Sequence, residues 1–524
     1  MSIISFRFLI FLGCTFGLFF LVPRKAKRYV LLAASYVYYY SVSNWLIVFL
    51  LFTTLVVYFV GFVMGRIDKQ VAAQCLKLEK GEKKIIKRTG KRKKRLLLVL
   101  SVIINLGILI VMKYTNLITG TLNSLIGTSI PAVKWFLPLG ISYYTLQAIS
   151  YLTDVYHGNC GASRDPVKVA LFLSFFPHIL EGPFSRFGDV GEQLSTSYSF
   201  DYSRAKFGLQ LMIWGYFKKM IVADRAAQFV NQVFNHSNEY TGIINVLAVV
   251  LYTLQIYAEF SGCIDIMTGI AQVLGVSLPL NFRQPFFAKS VQEFWQRWHI
   301  TLGLWMKEYV FYPISCSKLC VRMTEKAARR LPRVIASTVP VAFALFFVWL
   351  FNGFWHGAGW KYVAYGLYYY AFMLVSLIFA PLSRKVLNIL KVPVDKFGYR
   401  LWQMLRTSVI VLIGMLIFRA DSLHQAWDIL MNSFTIKGME LVRNGQVLSI
   451  GFDVAGEWLV LALGVIAMLV VDILHESGHS LRMELSTQPL LFRWLVYYAG
   501  IIAIIVFGVY GMGYDAQAFI YAGF

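Results

Sequence analysis

The chain has 524 residues, 58% hydrophobic and only 15% charged, and its 50 Lys and Arg against 26 Asp and Glu leave a net charge of +24. Soluble domains carry about 25% charged residues, and long apolar runs recur here, so the composition excludes a soluble globular protein in favour of a polytopic all-α membrane protein. The basic residues sit in short segments between those runs, the positive-inside pattern, so the charge reports topology and not a nucleic-acid groove.

In chain order, the apolar run 3–22 lacks a basic lead-in and a small-x-small cleavage site and reads as a retained first helix, stopped by Pro23 and by Arg24, Lys25, Lys27 and Arg28. Segments 29–42 and 45–64 read as a helical pair joined by the uncharged turn 41–44. The polar segment 66–95, ending Lys91-Arg92-Lys93-Lys94-Arg95, reads as a basic cytosolic loop, with contact to anionic lipid headgroups as its other reading. Residues 96–113 then cross to an external loop at 114–133, which places both termini outside once the later spans are counted. After 138–156, the apolar run 171–180 is too short to span, since a crossing helix needs about 20 residues, and reads as re-entrant. Further spans are expected near 205–222, 242–258, 262–280, 335–352, 360–381, 403–418, 455–474 and 491–512, with Ser261-Gly262 a candidate break. The amphipathic stretch 284–313 reads as helices lying along the membrane face. The whole is expected to form one integral-membrane domain, with N-terminal helices over 1–135, a core over 136–380 and C-terminal helices over 381–524.

Polar groups in a bilayer are costly unless they pair or work, so their concentration within 281–360 is the main functional clue. His356 follows Asn352 and Trp355 and is hemmed by Gly353, Gly357 and Gly359 between two apolar runs, which sets an imidazole at a helix break. It reads as a general base near neutral pH, or more simply as a hydrogen-bonded helix-end residue. His299 closes the run Trp295-Gln296-Arg297-Trp298-His299; helical spacing puts it on one face with Trp295, in an aromatic belt with a snorkelling Arg297. Glu259 and Asp265 lie between apolar runs, where carboxylates are functional or else paired with a cation such as Arg283 or Arg297, and a structural or positioning role is favoured. His178, beside Pro177 in the short run, could be structural or line a cavity. The six cysteines form no CxxC pair, and no phosphate loop, serine-hydrolase elbow or zinc-protease motif is present, so no metal is implied.

A series of segments in fixed order resembles the membrane-bound O-acyltransferases, closest to their bacterial alginate O-acetylation branch. It runs from Pro138-Leu139-Gly140-Ile141-Ser142-Tyr143-Tyr144 and Asp154-Val155-Tyr156 through Ser174-Phe175-Phe176-Pro177 with Gly182-Pro183. It continues with Phe217-Lys218-Lys219, Ala223-Asp224-Arg225, the 259–265 stretch, Glu293-Phe294-Trp295 and Arg297-Trp298-His299. Trp355-His356-Gly357-Ala358, Phe418-Arg419-Ala420 and Phe519-Ile520-Tyr521 complete it. The resemblance implies acyl transfer to a hydroxyl, with His356 as the essential histidine and His299 as its polar partner. It also implies a ring of about 11–14 tilted transmembrane, re-entrant and interfacial helices with funnels from both faces. No bound cofactor is implied; the donor would be acetyl-CoA or another acyl thioester, and the acceptor a glycan exported across a bacterial cytoplasmic membrane. Expected partners are membrane lipids and either a separate extracytoplasmic acetyltransferase protein or an acyl-carrier protein, with no nucleic acid. D-alanyl transfer to teichoic acid is the runner-up, and a transporter or flippase is the rival of another class. Glu181, Glu259, Cys263-Ile264, Gln296, Ser315-Cys316-Ser317 and Tyr368-Tyr369-Tyr370 depart from the family pattern and bear on the acceptor.

Overall fold

A computed structural model describes residues 1–510 apart from Lys77, Trp135, Leu180, Glu181, Ser197 and Lys437; two segments singled out above, Glu181 and Phe519-Ile520-Tyr521, therefore lie outside the described residues. The described residues contain helices and no strand. Eight of these helical runs are long and apolar enough to cross a membrane, Arg24–Leu76 being taken as one run. The described residues group into two compact units, Met1–Met212 with Met267–Pro279, and Ile213–Ile266 with 280–510.

The first unit holds α1 (Phe6–Leu21), α2 (Lys27–Ser43), α3 (Ile47–Leu76), α4 (Lys80–Ile126), α5 (Ile141–His157), α6 (Pro166–Ser174), the single turn α7 (Phe176–Ile179), α8 (Phe187–Ser195) and most of α9 (Tyr202–Tyr216). Local chemistry sets several starts. Ser5 caps α1 by accepting from Phe8 N, and Asp165 caps α6 from Val167 N with Pro166 at the first helical position. The expected loops at 66–95 and 114–133 are corrected: α3 runs to Leu76 and α4 extends from Lys80 to Ile126. Lys, Arg and Glu are good helix formers, so a charged stretch continues a helix beyond its apolar part. Lys94 ties this extension down by pairing with Asp68 at 2.9 Å. The short run at 171–180 breaks at Phe175 between α6 and α7, with both pieces buried.

The second unit contains α10 (Asp224–Asn235), α11 (Ile243–Val273, whose last residues belong to the first unit), α12 (Val291–Arg297), α13 (Ile300–Met306), α14 (Tyr312–Ser315), α15 (Lys318–Arg330), α16 (Arg333–His356), α17 (Trp360–Ile389) and α18 (Phe397–Arg419). It closes with α19 (Leu423–Asn432), α20 (Met439–Arg443), α21 (Gly456–Glu476), α22 (Leu481–Thr487) and α23 (Leu490–Phe507). α11 is continuous, so Ser261-Gly262 is not a break. Gly262 serves close packing instead: an added Cβ would meet Gly215 O at 2.8 Å. α16 and α17 form a hairpin whose backbones touch at glycines, since a Cβ on Gly366 would come within 2.3 Å of Trp349 O, and one on Gly353 within 2.4 Å of Tyr362 O. At 1.5 Å per residue, the 24 residues of α16 rise about 36 Å, so His356 stands one hydrocarbon thickness from the basic end of the helix.

Candidate active site

The site is built where the helical course of 281–300 is interrupted. Ser290 caps α12, its Oγ accepting from Glu293 N at 3.1 Å, and Glu293 Oε2 accepts from the N–H of Lys289, the residue before the cap, at 2.9 Å. The helix stops at Arg297, Trp298 is extended, and His299 takes φ 46° and ψ 50° before α13 begins. A non-glycine residue in the left-handed region is uncommon and persists only where its surroundings hold it. The helical placement of His299 beside Trp295 is thus corrected, because the turn swings His299 away from α12.

What holds it is the segment before α12. Arg283 N donates to Arg297 O at 2.9 Å and Ile300 N to Asn281 O at 2.9 Å, so 281–283 and 297–300 run clasped together. Asn281 Oδ1 accepts from Thr301 N at 3.1 Å and from Thr301 Oγ1 at 2.8 Å, and His299 Nδ1 lies 3.2 Å from the same oxygen. Arg297 does not snorkel. Its guanidinium forks onto Glu476 of α21 at 2.7 and 3.0 Å and also meets Glu293 at 2.8 Å, with its side chain 9% exposed. This charge-assisted clamp fixes the end of α12 to α21.

His356 ends α16 and is 3% exposed. Gly357 follows it because a Cβ there would fall 2.1 Å from the Tyr362 ring. The His356 ring meets Phe418 of α18 at 5.3 Å and Tyr365 of α17 at 5.7 Å between centroids. Trp355 bridges the two imidazoles, its ring 4.9 Å from His356 and 5.7 Å from His299. On its other side His299 meets Phe260 of α11 edge-on at 4.8 Å. Burial among these rings lowers the pKa of His299 from its ordinary value, because an imidazolium loses its hydration there.

The other residues singled out by sequence divide into two groups. Asn352 lies one turn before His356, buried, and its Oδ1 has no hydrogen-bond partner among the described residues. Trp295 packs on Trp349 and Tyr369 at 5.1 and 4.9 Å, and Trp298 on Phe282 and Phe294 at 5.1 and 5.5 Å. These line or support the histidine pair. Glu259 and Asp265 pair with lysines and not with Arg283 or Arg297: Lys219 meets Glu259 at 2.8 Å and Asp224 at 2.7 Å, and Lys218 meets Asp265 at 2.7 Å. Both lysines sit on a π-helical turn, Phe217–Ala223. His178 belongs to the first unit, where it is fully buried between Tyr143 and Phe175 and donates from Nε2 to Phe172 O at 2.9 Å. The residue that sequence reasoning left without a role is Asn281. Its signal was an amide directly after the apolar run that ends at Leu280.

Residues 161–322 match the family described as MBOAT, membrane-bound O-acyltransferase family. A probable alginate O-acetylase of Pseudomonas aeruginosa is 31% identical over 469 residues, covering 87% of this chain and 79% of that protein. The chain belongs to the membrane-bound O-acyltransferase family. It is a multi-pass membrane enzyme and an O-acyltransferase. The peptidoglycan O-acetyltransferase of Helicobacter pylori is 29% identical over 377 residues, 66% of each chain, and the teichoic acid D-alanyltransferase of Bacillus subtilis is 26% identical over 251 residues, 47% of this chain and 60% of that protein. Family membership sets aside the transporter reading.

Proposed function

We propose that this O-acyltransferase moves an acyl group, acetyl in the first instance, from a cytosolic thioester donor to hydroxyls of a polysaccharide on the far side of a bacterial cytoplasmic membrane. The observation that carries this reading is the pair of buried imidazoles, His299 and His356, on either side of Trp355 in a membrane-embedded unit. His356 takes the proton of the acceptor hydroxyl as its oxygen attacks the thioester carbonyl. The C–S bond then breaks, and the same proton passes from His356 to the departing thiolate. His299 stands on the donor side. Trp295, Trp298, Asn352 and Trp355 shape the space around the reacting groups, while Glu259, Asp265 and Arg297 hold the elements that carry them. His178, in the other unit, takes no part in this step.

Acetyl is favoured because two relatives that align over most of their length are named for O-acetylation, of alginate and of peptidoglycan. D-alanyl transfer from a carrier protein is the second reading, supported by the shorter match to the D-alanyltransferase. The test incubates purified protein with acetyl-CoA and a bacterial glycan and measures both free thiol and ester on the glycan. Thiol release that depends on His356, with ester formed, is the expected result. No transfer from acetyl-CoA together with transfer from a D-alanyl carrier protein would replace the first reading by the second. Transfer seen only when a separate extracytoplasmic acetyltransferase protein is added would make this chain one step of a relay.

A further inference from the structure

We infer that Asn281 is a positioning residue that locks His299 as a hydrogen-bond acceptor toward the substrate. The inference rests on the reading of His299 and His356 as the reacting pair.

The chemistry follows from one oxygen. Asn281 Oδ1 takes the backbone N–H of Thr301 at 3.1 Å, which fixes which end of the amide is oxygen, and an amide oxygen only accepts. His299 Nδ1, 3.2 Å from that oxygen, is therefore the donor and carries the ring proton. In the neutral ring the other nitrogen, Nε2, then presents a lone pair. A neutral His299 held in this tautomer cannot donate to a developing oxyanion. It can accept from an O–H or N–H of the substrate, either the attacking hydroxyl or an amide of the donor's pantetheine arm.

Asn281 is suited to the task and to little else. It is 1% exposed, and its Nδ2 has no hydrogen-bond partner among the described residues, so its place is set through Oδ1. Both His299 and Thr301 hang on that oxygen, at a turn where His299 adopts a left-handed backbone. Partners that orient a working imidazole are typically worth about 10–100-fold in activity, judged from metal-ligating histidines.

The charged and titratable groups on the elements packed around His299 are few. On α11 Glu259 is taken by Lys219, and Tyr257 donates to Asp472 of α21 at 3.0 Å. On α12 Arg297 is held by Glu293 and Glu476, and on α16 His356 lies beyond Trp355. A carboxylate at 281 would be the nearest new charge, and its sign decides the test.

The experiment compares pH–rate profiles of acetyl-CoA turnover for wild type, Asn281→Asp, Asn281→Ala and His299→Ala, each checked for folding by size-exclusion chromatography in detergent. In Asn281→Asp the oxygen acceptor remains, but the new charge favours the imidazolium, which has a proton on Nε2 and cannot accept. Turnover near pH 7 should fall about 10-fold or more and recover as pH rises, a new acid limb that a purely structural role would not produce. Asn281→Ala should lose about 10–100-fold across the whole range. Higher turnover at neutral pH in Asn281→Asp, or an unmoved profile, would overturn the inference. Wild-type turnover in His299→Ala would instead remove His299 from the site, a failure of the underlying reading and a separate outcome.

Discussion

Lys219 and Glu259 form an ion pair of 2.8 Å with side chains only 2% and 3% exposed, and Asp224 joins the same ammonium at 2.7 Å. Two carboxylates share one cation inside a membrane protein, where an unpaired charge would cost several kcal/mol.

Removing the cation should therefore be worse than removing either anion. Lys219→Met strands two like charges together, whereas Glu259→Gln leaves Lys219 with Asp224. Lys219→Met should abolish folded yield, at a cost of about 3–5 kcal/mol, and Glu259→Gln should lower it less. Yield and melting temperature in detergent measure both. Full yield of Glu259→Gln with no turnover would move Glu259 into the chemistry.

Gly366 has a backbone reason to be glycine. Its Cβ position lies 2.3 Å from Trp349 O, and a carbonyl in the middle of α16 has no room to yield. Gly366→Ala should force α16 and α17 apart and destabilise by about 1–3 kcal/mol, with turnover falling as the aromatic support of His356 shifts. A melting temperature equal to wild type would show that α16 and α17 can separate at Gly366 without cost.

His356→Ala should leave a folded protein, because the ring stands at the last residue of its helix and packs edge-on against Tyr365 and Phe418. Turnover should drop by about 10²–10⁴, the usual contribution of a positioned base. Acetyl transfer normalised to folded protein is the measurement, and near-normal turnover would place the base elsewhere.

Orientation is testable on α4, whose two ends lie far apart on one helix. With the native cysteines replaced, a Cys at exposed Ser124 should react with an impermeant reagent added outside intact cells, and one at exposed Lys87 should not. The opposite pattern would reverse the direction of transfer proposed above.

Much of the fold was legible because a helix is a local object. Apolar runs located the long helices, and the amphipathic stretch 284–313 marked out the short ones, α12 to α14. The segments that carried the family resemblance were also contiguous. The basic segment misled because loop and solvated helix have the same composition, and only the ladder of α4 separates them.

The sequence by itself determined a helical membrane enzyme of this family with His299 and His356 as its candidate reacting pair. Only the tertiary structure decided that Lys218 and Lys219 neutralise Asp265 and Glu259, that Arg297 grips Glu476, 179 residues away, and that Trp355 stands between the two imidazoles. Each of these depends on which helix lies beside which. His299 shows the boundary most sharply: helical periodicity put it on the face of Trp295, but its backbone is left-handed and its Nδ1 lies 3.2 Å from Oδ1 of Asn281, 18 residues earlier. Periodicity encodes where a side chain points along its own helix; a hydrogen bond between distant residues, formed only once the chain is packed, fixes which way it points in the site.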